Sequence, residues 1–538
     1  MFSYSVYGKN GGGEEIVKMY ESVELAKKEL VLLDYETIER KLQLAENLIK
    51  STNPEDKAKA ESLLKEVELL KIESRPIETR AVWLDDIALG KITSPEEMRQ
   101  MVRRLHDLNV NLLLPSVYFG GETMYKSKIV PQMDWFRLYF NDVDPLQVLI
   151  DEAHRLGMEV HAWVMVYGLQ GNVEPFLDRL DWLDRDQNGK YNNTAHTDYF
   201  FSPAHPEARE HIMSIINEVT DYNLDGIHLD NIRYKDGFGY GDYAVNLYKE
   251  LTGIDARSIE RADEKRFKHF QEFKAQFIAS LVERVRSEMH KKNPHLMVSA
   301  ATAPRLWGKN SLGQDWHNWI DNRSLHFVLT MSYIETPPEY DELINWDIDR
   351  IGGRTYCYPG MSLYAFSPAI MQAEWQVGQK AAITGQTLFS LLHIKPEHDF
   401  LLQAGLFREK AMPTFREPEK AAIEFCKWIL KRINLLGSEA GFTTEQIEVW
   451  EASLKEIALE ISKATMRPYD RRDLREADAK ENATWQKVLA MVEDLSKKTD
   501  NLPSPTRDRL RRDLAQLNSL ITPLEYTSRP FEQIPITY

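Results

Sequence analysis

Eight short apolar runs, each set apart from the next by helical or loop stretches, recur between Arg80 and Ile394. This alternation limits the possible folds more than any other feature. The runs are RAVWLD, NLLLPSVY, EVHAWVMVY, DGIHLDNIRY, LMVSAATA, HFVLTMSYI, RTYCYPGMS and QTLFSLLHI. Strands that alternate with helices pair in parallel, because a parallel pair needs a crossover long enough to hold a helix. A doubly wound sheet and a closed barrel both meet that condition. The doubly wound reading lacks its glycine fingerprint, since no G-x-G-x-x-G follows any run. The expected fold class is therefore α/β, a (β/α)8 TIM barrel over residues 79–416.

Outside the runs the texture is helical. Residues 1–13 read as a flexible tail. Residues 14–74, dense in Leu, Glu, Lys and Ala, read as a helical hairpin broken at Asn53 and Pro54. Residues 417–538 hold four stretches with apolar residues at three- and four-residue spacing. They are expected to form a helical bundle region, packed on itself or on the barrel, with a C-terminal tail. Ser94 before Pro95 marks a capped helix start after the first strand.

The chain carries 67 basic and 83 acidic residues, net −16, which sets it against phosphate backbones. No nucleic-acid partner is expected. No apolar run approaches the roughly 20 residues of a membrane span. The opening MFSYSVYGKNGGGEE has neither the basic start nor the apolar run of a secretory signal. A cytosolic protein and a mature chain whose signal has been removed both fit. Cys357 and Cys426 are the only cysteines, too few for a disulfide framework. They read better as buried free thiols than as one bridge. Clustered histidines at zinc spacing are missing, so neither a metal nor a cofactor is expected.

Side chains alternate between the faces of a strand. In DGIHLD, Ile227 and Leu229 share the face that suits a helical jacket, and Gly226, His228 and Asp230 share the other. In AVWLD the inward set is Ala81, Trp83 and Asp85; in EVHAWV it is His161 and Trp163. Inward polar groups near strand ends point to the C-terminal mouth, where barrel enzymes keep their active sites. Asp230 carries the most weight, because an unpaired carboxylate in an apolar interior costs several kcal/mol. It needs Arg233, His161, water or a ligand. Asp225, just before the strand, is expected to anchor the turn. The loops hold Tyr118, Tyr125, Trp135, Trp307, Trp316, Trp319, Tyr333 and Tyr358, flat rings of the kind that pack on pyranose C–H faces. An aromatic, acidic groove without a phosphate loop fits a neutral glycan.

The stretches TRAVWLD, AHRLGMEVHAWV, FSPAHPEAREHIMSIINEVTDYNLDGIHLDNIRY, YGDYAVNLYKELTGID and LTMSY resemble the glycosyl-hydrolase-like barrel proteins of bacteria, the DUF187, YngK-type group. The resemblance spans Thr79 to about Ile394, and SPAHPEAR…DGIHLD is its most specific part. It implies a barrel, an extracytoplasmic setting in the cell envelope or outside the cell, and glycoside hydrolysis, with cell-wall glycan as one substrate. Two patterns of other barrels do not transfer. The chitinase-type D-x-x-D-x-D-x-E would put its acid at position 232, which here is Ile232. The amylase-type acid after the fifth strand has no counterpart in LMVSAATAP.

Glycoside hydrolysis normally uses two carboxylates across the scissile bond. Asp230 is expected as nucleophile or base. Glu335, just past the sixth strand, is expected as acid, with Asp85, Asp86 and Glu122 as rivals. Asp85, Tyr118, His161, Trp163, His228, Asn231, Arg233, Tyr333 and Tyr358 are expected to bind substrate. Two other readings stay open: a non-catalytic glycan-binding barrel, and a scaffold whose helical termini bind a partner.

Overall fold

The computed structural model describes residues 12–191, 198–364, 367–464 and 473–535. The expected tail over residues 1–13 lies, except for its last two residues, outside them. The eight runs form eight barrel strands. They are β1 (Thr79–Leu84), β2 (Leu112–Phe119), β3 (Glu159–Met165), β4 (Gly226–Asp230), β5 (Met297–Thr302), β6 (Phe327–Thr330), β7 in two pieces (Tyr356–Cys357 and Gly360–Ser362) and β8 (Gly385–Phe389). All neighbours are parallel, β1 pairs with both β2 and β8, and the sheet closes through β7. One piece of β7 pairs with β6 and the other with β8, while Met331 bridges to Gly360. Closure removes the free edges of the eight-stranded barrel.

Parity sorts the side chains as alternation requires. Val82, Leu84, Val160, Ala162, Val164, Ile227 and Leu229 join the core between strands and helical jacket. Ala81, Trp83, Leu112, Leu114, Trp163, Met297, Phe327 and Leu329 join a separate core inside the barrel. The jacket includes α4 (Pro95–Asp107), α5 (Pro145–Arg155), α6 (Pro206–Val219), α7 (Glu264–Lys292), α8 (Pro337–Ile351) and α9 (Pro368–Lys380). Ser94 caps α4 through the N–H of Glu97 at 3.2 Å, and Pro95 opens it. Both cysteines are free and buried.

The N-terminal end of the barrel is plugged. Phe415 packs beneath Phe327, Tyr358 and His161, with centroids 4.9–6.0 Å apart. Arg416 then clamps Glu159 with two bonds of 2.7 and 2.8 Å and donates to the carbonyls of His295 and Asp225. One side chain thus ties together the feet of β3, β4 and β5.

The expected helical hairpin is three helices, α1 (Gly12–Lys28), α2 (Tyr35–Ile49) and α3 (Pro54–Leu70). The extra break falls at residues 29–34. There Leu30 takes φ 55° and is fully buried in the core of the C-terminal helices, and Asp34 caps α2 through the Thr37 N–H at 3.0 Å. Burial of one leucine outside its own helix overrides an unbroken helical period. The four C-terminal stretches are α10 (Pro418–Leu436), α11 (Thr444–Ala464), α12 (Ala479–Lys497) and α13 (Ser504–Ser528). They share their own core and also meet the barrel, where Tyr356 donates to the Leu520 carbonyl at 3.0 Å.

Candidate active site

Asp230 is the last residue of β4, at the C-terminal mouth, and is partly buried. Its register partner on β3 is Met165, and one layer below Trp163 lies beside His228. Trp163 turns its indole N–H up to Asp230 Oδ2 at 3.0 Å. The other oxygen, Oδ1, accepts from the backbone N–H of Asn231 at 2.6 Å. Asn231 sits in the left-handed region at φ 47°, an unfavourable conformation for a residue with a side chain, of the kind that gathers at functional sites.

Charge and solvation at the mouth pull in opposite directions. Burial raises the Asp230 carboxyl above its usual range, against the Asn231 N–H, the Arg233 charge and the Trp163 N–H, which favour the ionised form. Burial also lowers the Arg233 guanidinium, and the Asp230 charge opposes it. The Arg233 Nε has no hydrogen-bond partner among the described residues. A carboxylate and a cation thus share the mouth without a closed ion pair. Tyr333 completes the group: burial and then the Asp230 charge raise its hydroxyl well above its usual value, and its ring stacks on Phe389 at 5.0 Å.

Beneath Asp230 lies a neutral, fixed layer. Trp83 donates to His228 Nε2 at 3.1 Å, which leaves Nδ1 as the protonated nitrogen facing Ser299 Oγ at 3.0 Å. Burial, with the neighbouring His161, lowers His228 to about 3, so the imidazole is uncharged at neutral pH. Trp83 fits because residue 360 is glycine: a Cβ there would come within 2.7 Å of the indole. His228, expected to bind substrate, is fully buried beneath Asp230 and held between Trp83 and Ser299.

Several expected site residues stand elsewhere. His161 is fully buried near the foot of β3, bonded through Nε2 to Glu159 at 3.1 Å, with a ring so close that a Cβ on Gly226 would meet it at 2.5 Å. Tyr358 is also at the plugged end, its hydroxyl 2.8 Å from Thr414 Oγ1. His161 faces inward as expected and Tyr358, expected in a loop at the mouth, joins it in the barrel interior, both at the plugged end. Tyr118 faces the helical jacket. The register slips between Ser116, opposite Trp163, and Tyr118, opposite Val164, and this bulge turns the tyrosine outward. Asp85 is a cap: its oxygens accept from the N–H groups of Ala88 at 2.9 Å and Leu392 at 3.1 Å. Asp225 anchors its turn as expected, accepting from Val160 N and His154 Nε2, both at 2.8 Å.

Glu335 is exposed in the loop between β6 and α8, two residues past Tyr333. Of its rivals, Asp86 is raised by burial and then by Asp85, and Glu122 by burial and then by Asp134. Among the loop aromatics, Tyr125, Trp316 and Trp319 are buried in packing, with Trp316 donating to the Ala303 carbonyl at 3.0 Å. The Trp307 side chain lies outside the described residues. Phe389 is the residue that sequence reasoning missed. It ends β8 on the same parity as Thr387, and it touches both Trp83 and Tyr333. The inward parity of GQTLF was the available signal.

The family profile described as glycosyl hydrolase-like 10 matches residues 78–377, more than half of the chain and all barrel strands but the last. The chain belongs to the glycosyl hydrolase-like 10 family. It is 24% identical over 383 residues to the glycosyl hydrolase DigH of Escherichia coli strain K12, covering 61% of this chain and 82% of DigH. It is 21% identical over 331 residues to the glycosyl hydrolase YngK of Bacillus subtilis strain 168, covering 53% of this chain and 61% of YngK. Among solved structures, the glycoside hydrolase domain of PgaB (BpsB) from Bordetella bronchiseptica aligns at TM-score 0.49 and 14% identity, over 62% of this chain and all of that domain. The family match places α1–α3 and α10–α13 outside the shared barrel and Asp230 inside it.

Among the described residues no group of three or more His, Cys, Asp or Glu side chains is arranged to hold a metal ion. None of the described helices is long and apolar enough to cross a membrane.

Proposed function

We propose that this glycosyl hydrolase-like barrel hydrolyses a neutral glycan, such as bacterial cell-wall or another extracellular polysaccharide, with Asp230 as nucleophile or base. The observation that carries the reading is the Asp230 carboxylate, held by two N–H donors at the mouth beside Arg233, whose Nε has no hydrogen-bond partner among the described residues. The donors fix its direction, and burial keeps it more basic than an exposed aspartate. Tyr333, Phe389 and Arg233 offer the flat face and the donor that a sugar ring needs. Glu335 is the acid in this proposal. It is exposed in the loop that follows β6, two residues past Tyr333, within the wall a glycan at the mouth would meet. The reading places the protein outside the cytoplasm, as its family resemblance implies. The barrel, 79–416, carries the chemistry and the flanking helices pack around it.

A second reading, a glycan-binding barrel without chemistry, draws support from Ile232, fully buried where chitinase-type barrels keep their acid. The test is release of reducing ends from a panel of neutral polysaccharides and peptide-free peptidoglycan strands. The hydrolase reading predicts release by the wild type and a loss of about 100-fold or more in Glu335→Gln, the scale of a missing general acid. Binding to panel glycans with no release from any would favour the second reading. Full turnover in Glu335→Gln would move the acid to Glu122 or Asp86.

A further inference from the structure

A cavity of about 460 Å³ lies away from the barrel axis, between α7 and the segment that follows β5. Its size is that of a small-molecule site. Gln271 and Gln276 line it from α7, with Phe267 one turn before, and Lys309, Asp315 and Asn318 line the opposite side. Three acceptors in this wall lack any hydrogen-bond partner among the described residues: Gln271 Oε1, Gln276 Oε1 and Asp315 Oδ1. Gln271 is only 6% exposed, so bulk water does not compensate it freely. A buried acceptor without a donor costs free energy, and three around one space call for a donor-rich occupant. The other Asp315 oxygen pairs with Lys309 at 3.0 Å, which cancels its charge locally.

The chemistry narrows the occupant. Besides the three unpartnered acceptors, the lining carries Glu264 and Glu272, with Lys268 ion-paired to Glu272 at 3.8 Å, so a phosphate or carboxylate fits poorly, whereas hydroxyl groups fit well. Phe267 is half-buried and offers a ring edge or face for C–H groups. Hydroxyls around an apolar ring describe a sugar residue. The position points the same way. In a βα barrel, helices begin at the end where strands finish, so the N-terminal half of α7 stands on the rim of the mouth. The backbone also links the two sites. Tyr234, next to Arg233, donates its N–H to the Leu312 carbonyl at 2.8 Å, and Gly313 packs on the Tyr234 ring.

We propose that this cavity is a second glycan-holding site, which takes a sugar residue independently of the glycan bound at the Asp230 mouth. The proposal rests on the glycan reading above for its ligand class. Hydroxyls of the sugar donate to Gln271 Oε1, Gln276 Oε1 and Asp315 Oδ1, and Phe267 bounds its apolar side.

The test is calorimetric titration of the full-length Asp230→Asn chain with chitotetraose and with cellotetraose, repeated in the background of Gln271→Leu with Gln276→Leu. An Ala275→Phe variant, which fills the cavity from α7, serves as a second probe, and all variants are checked by thermal melting. The expected result is two binding events per chain, one of which weakens by about fivefold for each hydrogen bond removed and vanishes in Ala275→Phe. A single event insensitive to both cavity variants would overturn the proposal, as would no event at all. The two readings fail separately. Two events with loss of one in the cavity variants, but no turnover by wild type, would leave this site standing and remove the hydrolase. Turnover that depends on Asp230, with no cavity-sensitive event, would do the reverse.

Discussion

At the scale of single residues, the structure turns on which way a carboxylate is held. Asp230 keeps two N–H donors on its ionised form while burial pushes its proton affinity up. Loss of the Trp163 donor therefore moves the balance toward the protonated acid. If Asp230 acts ionised, the acid limb of the pH–turnover profile lies above the usual carboxylate range, and Trp163→Phe shifts it to still higher pH. Arg233→Gln shifts it the same way, because a favourable positive charge is removed. A profile unmoved by both substitutions would mean that another group sets the limb.

At the scale of elements, parity was legible and height was not. The faces of β1, β3 and β4 follow from alternation alone, and Trp83, Trp163, His228 and Asp230 all point inward as the pattern requires. His161 and Tyr358 share that parity but belong to the plugged end, because alternation says nothing about distance along the strand. Tyr118 failed for another reason, since a bulge in β2 breaks the parity itself. Its hydroxyl is buried with no partner among the described residues. Tyr118→Phe should therefore be neutral or stabilising by up to about 1 kcal/mol in denaturant midpoints. A clear loss of stability or of glycan affinity would return Tyr118 to a working role. The buried loop aromatics show a similar limit. Long loops bury rings to pack themselves, and composition does not separate those from rings kept for a ligand.

At the scale of the whole molecule, the helical ends are fastened to one another by buried charge. Arg432 is fully buried, stacked over Trp428, and bonded to Asp513 and to Glu73 Oε1, the latter at 2.7 Å. Arg509 joins the same two carboxylates. Glu73 follows α3, Arg432 is on α10, and Asp513 is on α13, so the network closes a route from one end of the chain to the other. Arg432→Met leaves two carboxylates short of a partner and should cost about 3–5 kcal/mol, read from urea unfolding. Burial opposes ionisation of Glu73, yet Arg432 and Arg509 hold it down to about 2. The stabilisation is thus present above the ordinary glutamate value and fades as pH falls from there toward 2. Little of this was legible: the four helices of the C-terminal region could be read from their periods, but not which charged residues would be buried between them.

The most direct test of the account is turnover of a cleaved glycan by Asp230→Asn, with binding of the same glycan followed in parallel. The substitution keeps the side chain's shape and removes the charge. The account predicts that turnover falls by at least about 100-fold, that binding persists and that the fold is retained. Wild-type turnover in Asp230→Asn would contradict it and remove Asp230 from the chemistry.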